Sequence, residues 1–442
     1  MVVHSIDEQQ RTTKLERIVK LAEEKKTLVF NNVGHAIDLD LLRECYQRLD
    51  GKKAVGIDRV SKSEYGVNLE ENLMSLLSSI RKQAYKPRPS RIVEIPKEDA
   101  SVRPLAISCF EDKIVQLAVS TILTAVFEPL FLPCSFGYRE GTNGHEALRA
   151  LMKHSNNNPQ GATLEIDLKR YFNTIPHQEL QELLHKKIAD KRFLKLVTTL
   201  LRAPVLENGT VKPNIIGCPQ GSIAAPILSN IYLHYVLDQW FEAIKKSHIN
   251  GRAALVRFAD DAVFVFQHPQ EAQRMYKVLP KRLGRYGLEL HEGKSRIMLS
   301  GKKHAASAAS RKERLPTYNF LGFVCYWDKS RSGSWRLKYK SRSDRLTRTL
   351  NELRQYLREN LSQDTNLVLK RVKRVVKGWM NYHAISDNRR TVSCFIILSK
   401  RVVFNWLNRR GGKRKINWSK FTKFLQRIEY PEKFKTVSMF TS

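Results

Sequence analysis

An α+β fold is expected for this 442-residue chain, on three observations. Short apolar runs with strand alternation recur through the first 330 or so residues, separated by stretches with helical spacing. Beyond about residue 340 the strand patterns stop and apolar residues recur at intervals of four and three. The composition, 42% hydrophobic and 27% charged, suits a chain that buries a large core and excludes a disordered basic tail. The length suggests two to four domains.

Residues 1–85 alternate charged and apolar groups at helical spacing, with turns at Asp50-Gly51 and near Gly56-Ile57-Asp58. Lys86-Pro87-Arg88-Pro89 breaks that pattern, and Arg91–Pro96 alternates as a strand does. A polar turn at 97–101 leads to a second strand at Val102-Arg103-Pro104-Leu105. Between Asp112 and Phe127, Ile114, Val115, Ala118, Ile122 and Val126 fit a buried helix. Thr163–Leu168 reads as a strand ending near an acid, 177–201 as helix, and Pro226–Lys245 as a helix that tolerates proline in its first turn. Residues 253–266 read as two apolar strands around a tight acidic turn. A helix at 270–286, a polar linker at 300–316 and a strand at Asn319–Trp327 follow. Two amphipathic helices close the series, one carrying Leu346, Leu350, Leu353 and Leu357, the other Val368, Val372, Val375 and Trp379.

The formal charge of +34 and a pI near 10.0 point to a polyanionic partner. The excess is uneven. Residues 311–442 hold 32 Lys and Arg against 9 Asp and Glu, a net of +23. The six cysteines, at 45, 109, 134, 218, 325 and 394, form no C-x-x-C pair, so no zinc site is expected. The N-terminus shows no apolar signal region, and no stretch is expected to approach the roughly 20 apolar residues of a membrane span. A cytoplasmic protein with no membrane partner is the expectation.

The most informative residues are acidic. Asp260 and Asp261 stand at the apex of an apolar hairpin, where like charges repel unless a cation lies between them or one binds a proton. An ordinary Asp-Asp surface turn is the alternative. Asp167, at the end of another strand, would join them if the strands are neighbours in one sheet. Carboxylate oxygens of this kind suit Mg²⁺, and a pair of ions about 4 Å apart can hold both the attacking and leaving oxygens of an in-line phosphoryl displacement.

The motifs also fall in a familiar order. Gly56-Ile57-Asp58-Arg59-Val60, Ile95-Pro96-Lys97 with Val102-Arg103-Pro104-Leu105, and Phe127-Glu128-Pro129 through Phe136-Gly137-Tyr138-Arg139 come first. Glu165-Ile166-Asp167-Leu168-Lys169-Arg170-Tyr171-Phe172, Gly217-Cys218-Pro219-Gln220-Gly221-Ser222, Phe258-Ala259-Asp260-Asp261, Gly287-Leu288 to Lys294, and Asn319–Phe323 follow. From about residue 30 onward the chain resembles a group II intron-encoded reverse transcriptase, or maturase, of the bacterial type lacking the C-terminal endonuclease domain. It departs from the pattern at Arg59 and Ser222, where glycine is usual, at Phe258, where tyrosine is common, and at Ala100-Ser101, where glycines often make the fingertip turn.

The resemblance implies a right-hand polymerase. Its divisions would be an N-terminal helical extension (1–85), fingers and palm (86–330), a helical thumb (331–385) and a small basic DNA-binding domain (386–442). Asp167, Asp260 and Asp261 would be the catalytic metal ligands, holding two Mg²⁺ ions with Mn²⁺ as a substitute. Lys97 and Arg103 would grip the triphosphate, Gln220 would bind near the sugar, and Phe172 would lie under the ribose and exclude a 2′-OH by volume. Lys294 would contact the triphosphate or the carboxylates. The alternatives are solvated charges at Lys97, Arg103 and Lys294, and a core aromatic at Phe172. Lys370, Arg371, Lys373, Arg374, Lys377, Arg409 and Arg410 would touch nucleic-acid phosphates. Trp379 and Trp406 suit base stacking or, more often at such spacing, core.

The implied activity is RNA-directed DNA synthesis, with binding of structured intron RNA to assist splicing and retrohoming by target-primed reverse transcription. Implied partners are intron RNA, RNA template, DNA primer or target DNA, and dNTPs, in a monomer or homodimer. A target-nicking activity of its own is not expected. A free-standing reverse transcriptase in repair or phage defence, and a non-catalytic splicing factor, are the competing readings.

Overall fold

Most of the apolar runs form strands. The computed structural model describes residues 3–96, 102–410 and 415–440, with side chains except at 3–13, 96 and 103. Its strands are β1 (Ser90–Pro96), β2 (Val102–Ile107), β3 (Gly161–Ile166), β4 (Val205–Glu207), β5 (Thr210–Lys212), β6 (Ala253–Phe258), β7 (Asp261–Phe266), β8 (Arg296–Ser300), β9 (Tyr318–Phe320), β10 (Phe323–Lys329) and β11 (Trp335–Ser341). The chain divides into two units, the first made of residues 1–143, 164–264 and 273–296, the second of residues 144–163, 265–272 and 297–442.

In the first unit β1 and β2 form an antiparallel hairpin, in register from Arg91 opposite Ile107 to Pro96 opposite Val102. β1 also pairs in parallel with β4, giving the order β2-β1-β4-β5. The helix Phe110–Phe127 buries Ile114, Val115, Ala118, Val119, Ile122 and Leu123 completely. Contrary to the expectation from sequence, Phe110–Leu130 is long and apolar enough, by length and composition, to cross a membrane. More than half of it is buried inside the protein, so its apolar character is used in packing.

The stretch 177–201 is two helices, His177–His185 and Lys191–Leu201, because Asp190 interrupts it as a cap. One Asp190 oxygen accepts the amides of Arg192 and Phe193, and the other accepts those of Val33 and Gly34. The helix expected at 226–245 is nearly continuous from Ala225 to His248, but residues His234–Asp238 are wound as a π-helix. That extra residue per turn re-aims side chains locally. Asp238, at its end, is fully buried and meets Arg257 of β6.

The second unit holds a sheet in the order β11-β10-β9. The single strand expected at 319–327 is two, because Leu321 and Gly322 both adopt positive φ, 49° and 78°, and turn the chain between β9 and β10. Helix Gly144–Asn156 lies against this sheet, its Leu148 carbonyl accepting the Tyr339 hydroxyl at 2.7 Å. The polar linker expected at 300–316 contains a helix, Lys302–Ser310, whose alanines favour helix and of which Ala305 and Ala308 are buried. Four further helices, Ser343–Glu359, Thr365–His383, Arg389–Arg410 and Trp418–Arg427, share one core running from Leu350 to Tyr430. In the second of these Val376, not Val375, joins Val368 and Val372 inside. Trp379 and Trp406 belong to this core, with Trp379 stacked on Phe395 at a ring separation of 3.9 Å.

Arg257 interrupts an otherwise apolar strand, and its side chain has no exposure at all. Its five N–H groups all find acceptors: Asp238 Oδ1 at 2.8 Å and Oδ2 at 2.5 Å, Asn230 Oδ1 at 3.0 Å, Ser135 Oγ at 2.7 Å and the Ala259 carbonyl at 2.9 Å. Burial alone would lower its pKa, but the adjacent Asp238 carboxylate more than reverses this. Replacing Arg257 by Leu is expected to cost about 3–5 kcal/mol in denaturant unfolding, because Asp238 is left as an uncompensated buried charge. The double change Arg257→Met with Asp238→Leu should recover much of the loss; a single-variant loss under about 1 kcal/mol would contradict this account.

His234 is buried one turn before Asp238, with neither ring nitrogen hydrogen-bonded. Burial lowers its pKa to about 4, with Arg257 and Arg139 acting in the same direction and Asp238 opposing. The unfolded chain therefore takes up the proton first, near pH 6.5, and stability falls as pH drops from there toward about 4. His234→Phe should flatten this part of the acid-unfolding profile relative to the parent, measured as denaturation midpoints at pH 7 and pH 5.

Candidate active site and basic cleft

Asp167 immediately follows β3, and Asp260 and Asp261 sit at the turn from β6 to β7. The strands run in the order β6-β7-β3, so the acid-bearing strands are neighbours. Their directions follow from a close approach at the far end: a Cβ on Gly161, at the start of β3, would lie 2.2 Å from the carbonyl of Phe266, at the end of β7. The end of β3 therefore lies beside the start of β7, which puts Asp167 at the same end of the sheet as the two adjacent aspartates. Asp260 is half-buried and Asp261 exposed. Tyr171, four residues after Asp167 and fully buried, is close enough to Asp260 for its charge to help raise the phenol pKa, although burial is the larger cause.

Each acid-bearing backbone is anchored separately. Ala259 adopts φ +56°, and its carbonyl is held by Arg257. Gly137 packs against this turn so closely that a Cβ there would fall 2.3 Å from the Ala259 nitrogen, and Asn230 Nδ2 donates to the Gly137 carbonyl at 2.7 Å. Asp167 is fixed by the segment 289–295. Its amide donates to Ser295 Oγ at 3.1 Å and its carbonyl accepts the His291 amide at 2.8 Å. Lys294 Nζ stands 3.8 Å from Asp167 Oδ2, both side chains partly exposed. A pair so open to solvent contributes about 0–1 kcal/mol at most, so its role is charge placement more than stability.

Of the residues expected to contact the nucleotide, Gln220 lies on a loop, Phe172 in the short helix Tyr171–Thr174 and Arg103 on β2. Gln220 is half-buried. Its carbonyl accepts the Ala106 amide of β2 at 2.6 Å, while its side-chain Oε1 is buried without a hydrogen-bond partner. Gly221, at φ +107°, leaves room for the Ala106 carbonyl, 2.4 Å from where a Cβ would be. Phe172 is half-buried, whereas Tyr171 beside it is in the core, so the two aromatic neighbours have different environments. Lys97 lies outside the described residues; of Arg103 the backbone is described, opposite Ile95 in the β1–β2 register. Arg59, at a position where glycine is usual, adopts φ +58°, the left-handed conformation that glycine favours.

Among the described residues, no group of three or more His, Cys, Asp or Glu is assembled to hold a metal ion by itself. The donor chemistry of Asp167, Asp260 and Asp261 nevertheless fits a hard divalent cation. Such ions are commonly bound by one or two carboxylates, with water and substrate phosphate oxygens filling the remaining positions.

The second unit carries a cleft of about 590 Å³ lined by Lys370, Lys373, Arg374, Lys377, Lys433 and Lys435, with Glu429 the acid among them. Arg371 instead stacks on Tyr356 at 4.5 Å, and Arg410 lies over Trp406 and donates to the Gln363 carbonyl. Arg409 is exposed at the end of its helix. Sequence reasoning missed Lys433 and Lys435, which follow a stretch with no strong pattern. It also missed Arg257, although an arginine inside the run Ala-Ala-Leu-Val-Arg-Phe signals a buried, paired charge.

Similarity to known proteins covers much of the chain. Over 172 residues the chain is 40% identical to an uncharacterized 91 kDa protein in a cob intron of Schizosaccharomyces pombe, covering 38% of this chain and 21% of that protein. Over 235 residues it is 33% identical to the group II intron-encoded protein LtrA of Lactococcus lactis subsp. cremoris, covering 52% of this chain and 38% of that protein. Over 206 residues it is 30% identical to protein YkfC of Escherichia coli K12, covering 46% of this chain and 53% of that protein. The matches thus span between about a fifth and about half of these relatives. Domains of this kind generally use divalent metal ions and act on RNA and DNA. Residues 95–325, just over half of the chain and including all three aspartates, match the family described as reverse transcriptase (RNA-dependent DNA polymerase), and the chain belongs to that family.

Proposed function

We propose that this chain is the RNA-directed DNA polymerase of a group II intron, and that it also binds the intron RNA to assist splicing and supports retrohoming by target-primed reverse transcription. The observation that carries the polymerase reading is the placement of Asp167 beside the Asp260–Asp261 turn at one end of a sheet, each held by its own backbone anchors. The intron role is supported by similarity to the intron-encoded proteins above.

On this reading the three aspartates hold two Mg²⁺ ions, which when bound lower the pKa of a primer 3′-OH and neutralise the triphosphate. Lys97 and Arg103 supply a point charge and a planar donor fork to the triphosphate. Gln220 directs an otherwise unpartnered oxygen toward the nucleotide, and Phe172 limits the volume beside C2′ of the sugar. Lys294 offsets part of the carboxylate repulsion before substrate arrives. The basic cleft of the second unit holds a phosphate backbone, within a thumb (331–385) and a DNA-binding domain (386–442).

Asp260→Ala should reduce Mg²⁺-dependent primer extension on an RNA template by at least ~100-fold while leaving RNA binding intact. Full extension by that variant would remove the assigned site. Neutralising Arg374 and Lys377 together should weaken RNA and DNA binding regardless of sequence. It should also make the slope of log affinity against log salt shallower by about 0.7–0.9 for each phosphate that is no longer neutralised. An unchanged slope would exclude the cleft as a phosphate site.

A further inference from the structure

The segment that carries Phe172 and the loop that carries Gln220 are bonded together through the adjacent residues Gly217 and Cys218. The Cys218 amide donates to the Phe172 carbonyl at 2.7 Å, and the Gly217 amide donates to the Ile175 carbonyl at 2.9 Å. Gly217 adopts φ +86°, and a Cβ there would lie 2.8 Å from both the Phe172 carbonyl oxygen and the Asn173 Cα, so no other residue fits without moving one side of this junction. The remaining polar group of Gly217, its carbonyl, is bonded by His177 Nε2 at 2.8 Å, with Asn214 Nδ2 more distant at 3.3 Å.

Because a carbonyl only accepts, His177 carries its hydrogen on Nε2. The residue is 7% exposed, and its Nδ1 is buried without a partner. Burial lowers the ring's pKa, so the neutral form that makes this bond persists at neutral pH. Three residues beyond Gly217, the Gln220 carbonyl is locked to Ala106 of β2. The path from Phe172 to Gln220 is therefore fixed at both ends, and Gly217 is the hinge between them.

We infer that His177 is a positioning residue for sugar discrimination: by holding the Gly217 carbonyl it sets the gap between the Phe172 ring and the Gln220 side chain, and so the room left for a 2′-OH. This rests on the nucleotide roles proposed above for Phe172 and Gln220. His177 itself touches no substrate.

The test compares His177→Gln, whose amide nitrogen reaches about as far as Nε2, with His177→Asn, which is shorter and does not reach the carbonyl. Single-nucleotide incorporation of dNTP and rNTP is measured with the full chain on an RNA template. Thermal unfolding and primer–template affinity are measured in parallel. The Asn variant should lose about tenfold or more in dNTP-over-rNTP preference, mainly through KM, with primer–template affinity unchanged; the Gln variant should stay near the parent. Equal preference in the parent, Gln and Asn forms overturns the inference while leaving the polymerase reading intact. A fall in kcat for both nucleotides with the ratio unchanged also overturns it, since that is the mark of a merely structural histidine. No incorporation by the parent chain overturns the underlying reading and this inference together. Should the Asn variant not fold, Asn214→Ser, which removes the longer bond to the same carbonyl together with the 2.6 Å bond to the Leu201 carbonyl, is expected to shift the preference in the same direction by a smaller factor; an unchanged ratio there counts against the inference.

Discussion

A guanidinium with no exposure to water sets the terms for much of the first unit. Desolvating such a charge costs several kcal/mol, and the cost is offset only when every donor finds a well-placed acceptor. Arg257 meets that condition by drawing acceptors from separate parts of the chain: Ser135, Asn230, Asp238 and the Ala259 carbonyl. The arrangement constrains each contributor. Asp238 reaches the guanidinium from the end of a π-helical turn, and Asn230 also holds Gly137 against the acidic turn. Ala259 stays at φ +56°, which a non-glycine residue adopts at some cost, because its carbonyl is one of the five acceptors. The geometry of the Asp260–Asp261 turn is thus a consequence of solvating a charge in the core.

The third aspartate obeys a different constraint. Asp167 lies 93 residues before that turn along the chain, and like charges alone would drive the carboxylates apart. It is held by the paired backbone of Lys169 with Glu289 and Asp167 with His291, and by Ser295. Two independent frames therefore approach each other from neighbouring strands. Preorganisation of this kind places the repulsion among the acids on rigid elements, where it favours cation binding instead of local unfolding.

What could be read from sequence divides along a physical line. Apolar periodicity depends on local geometry, so the strands around Asp260 and the helix over Phe110–Phe127 were legible, as was the adjacency of Asp260 and Asp261. Partners distant in sequence were not. Arg257 could be marked as a charge needing a partner, but Asp238 could be named only once the π-helix turned it inward. Register errors have the same origin. Val375 and Val376 both suit a helical stripe, and packing against the helix Arg389–Arg410 decided between them. Asp190 splits a stretch with continuous helical spacing because its capping oxygens also serve amides at Val33 and Gly34, more than 150 residues earlier. The helix at Lys302–Ser310 is obscured by its polar residues, although its alanines carry the propensity.

The two charge systems of this protein differ in how far salt reaches them. Exposed lysines and arginines such as those of the Lys370–Lys377 face act over distances that physiological salt screens within about 8 Å. The Arg257–Asp238 pair is closed to solvent, and its contacts are direct hydrogen bonds of 2.5–2.8 Å, so ionic strength scarcely alters it. Raising salt therefore weakens the attraction of this basic face for a polyanion while leaving the acidic turn in place. The net charge of +34 measures attraction to a polyanion and carries no information about the turn. The forces at the basic face and at the acidic turn are thus screened to different degrees, so conditions that weaken the first leave the second ordered.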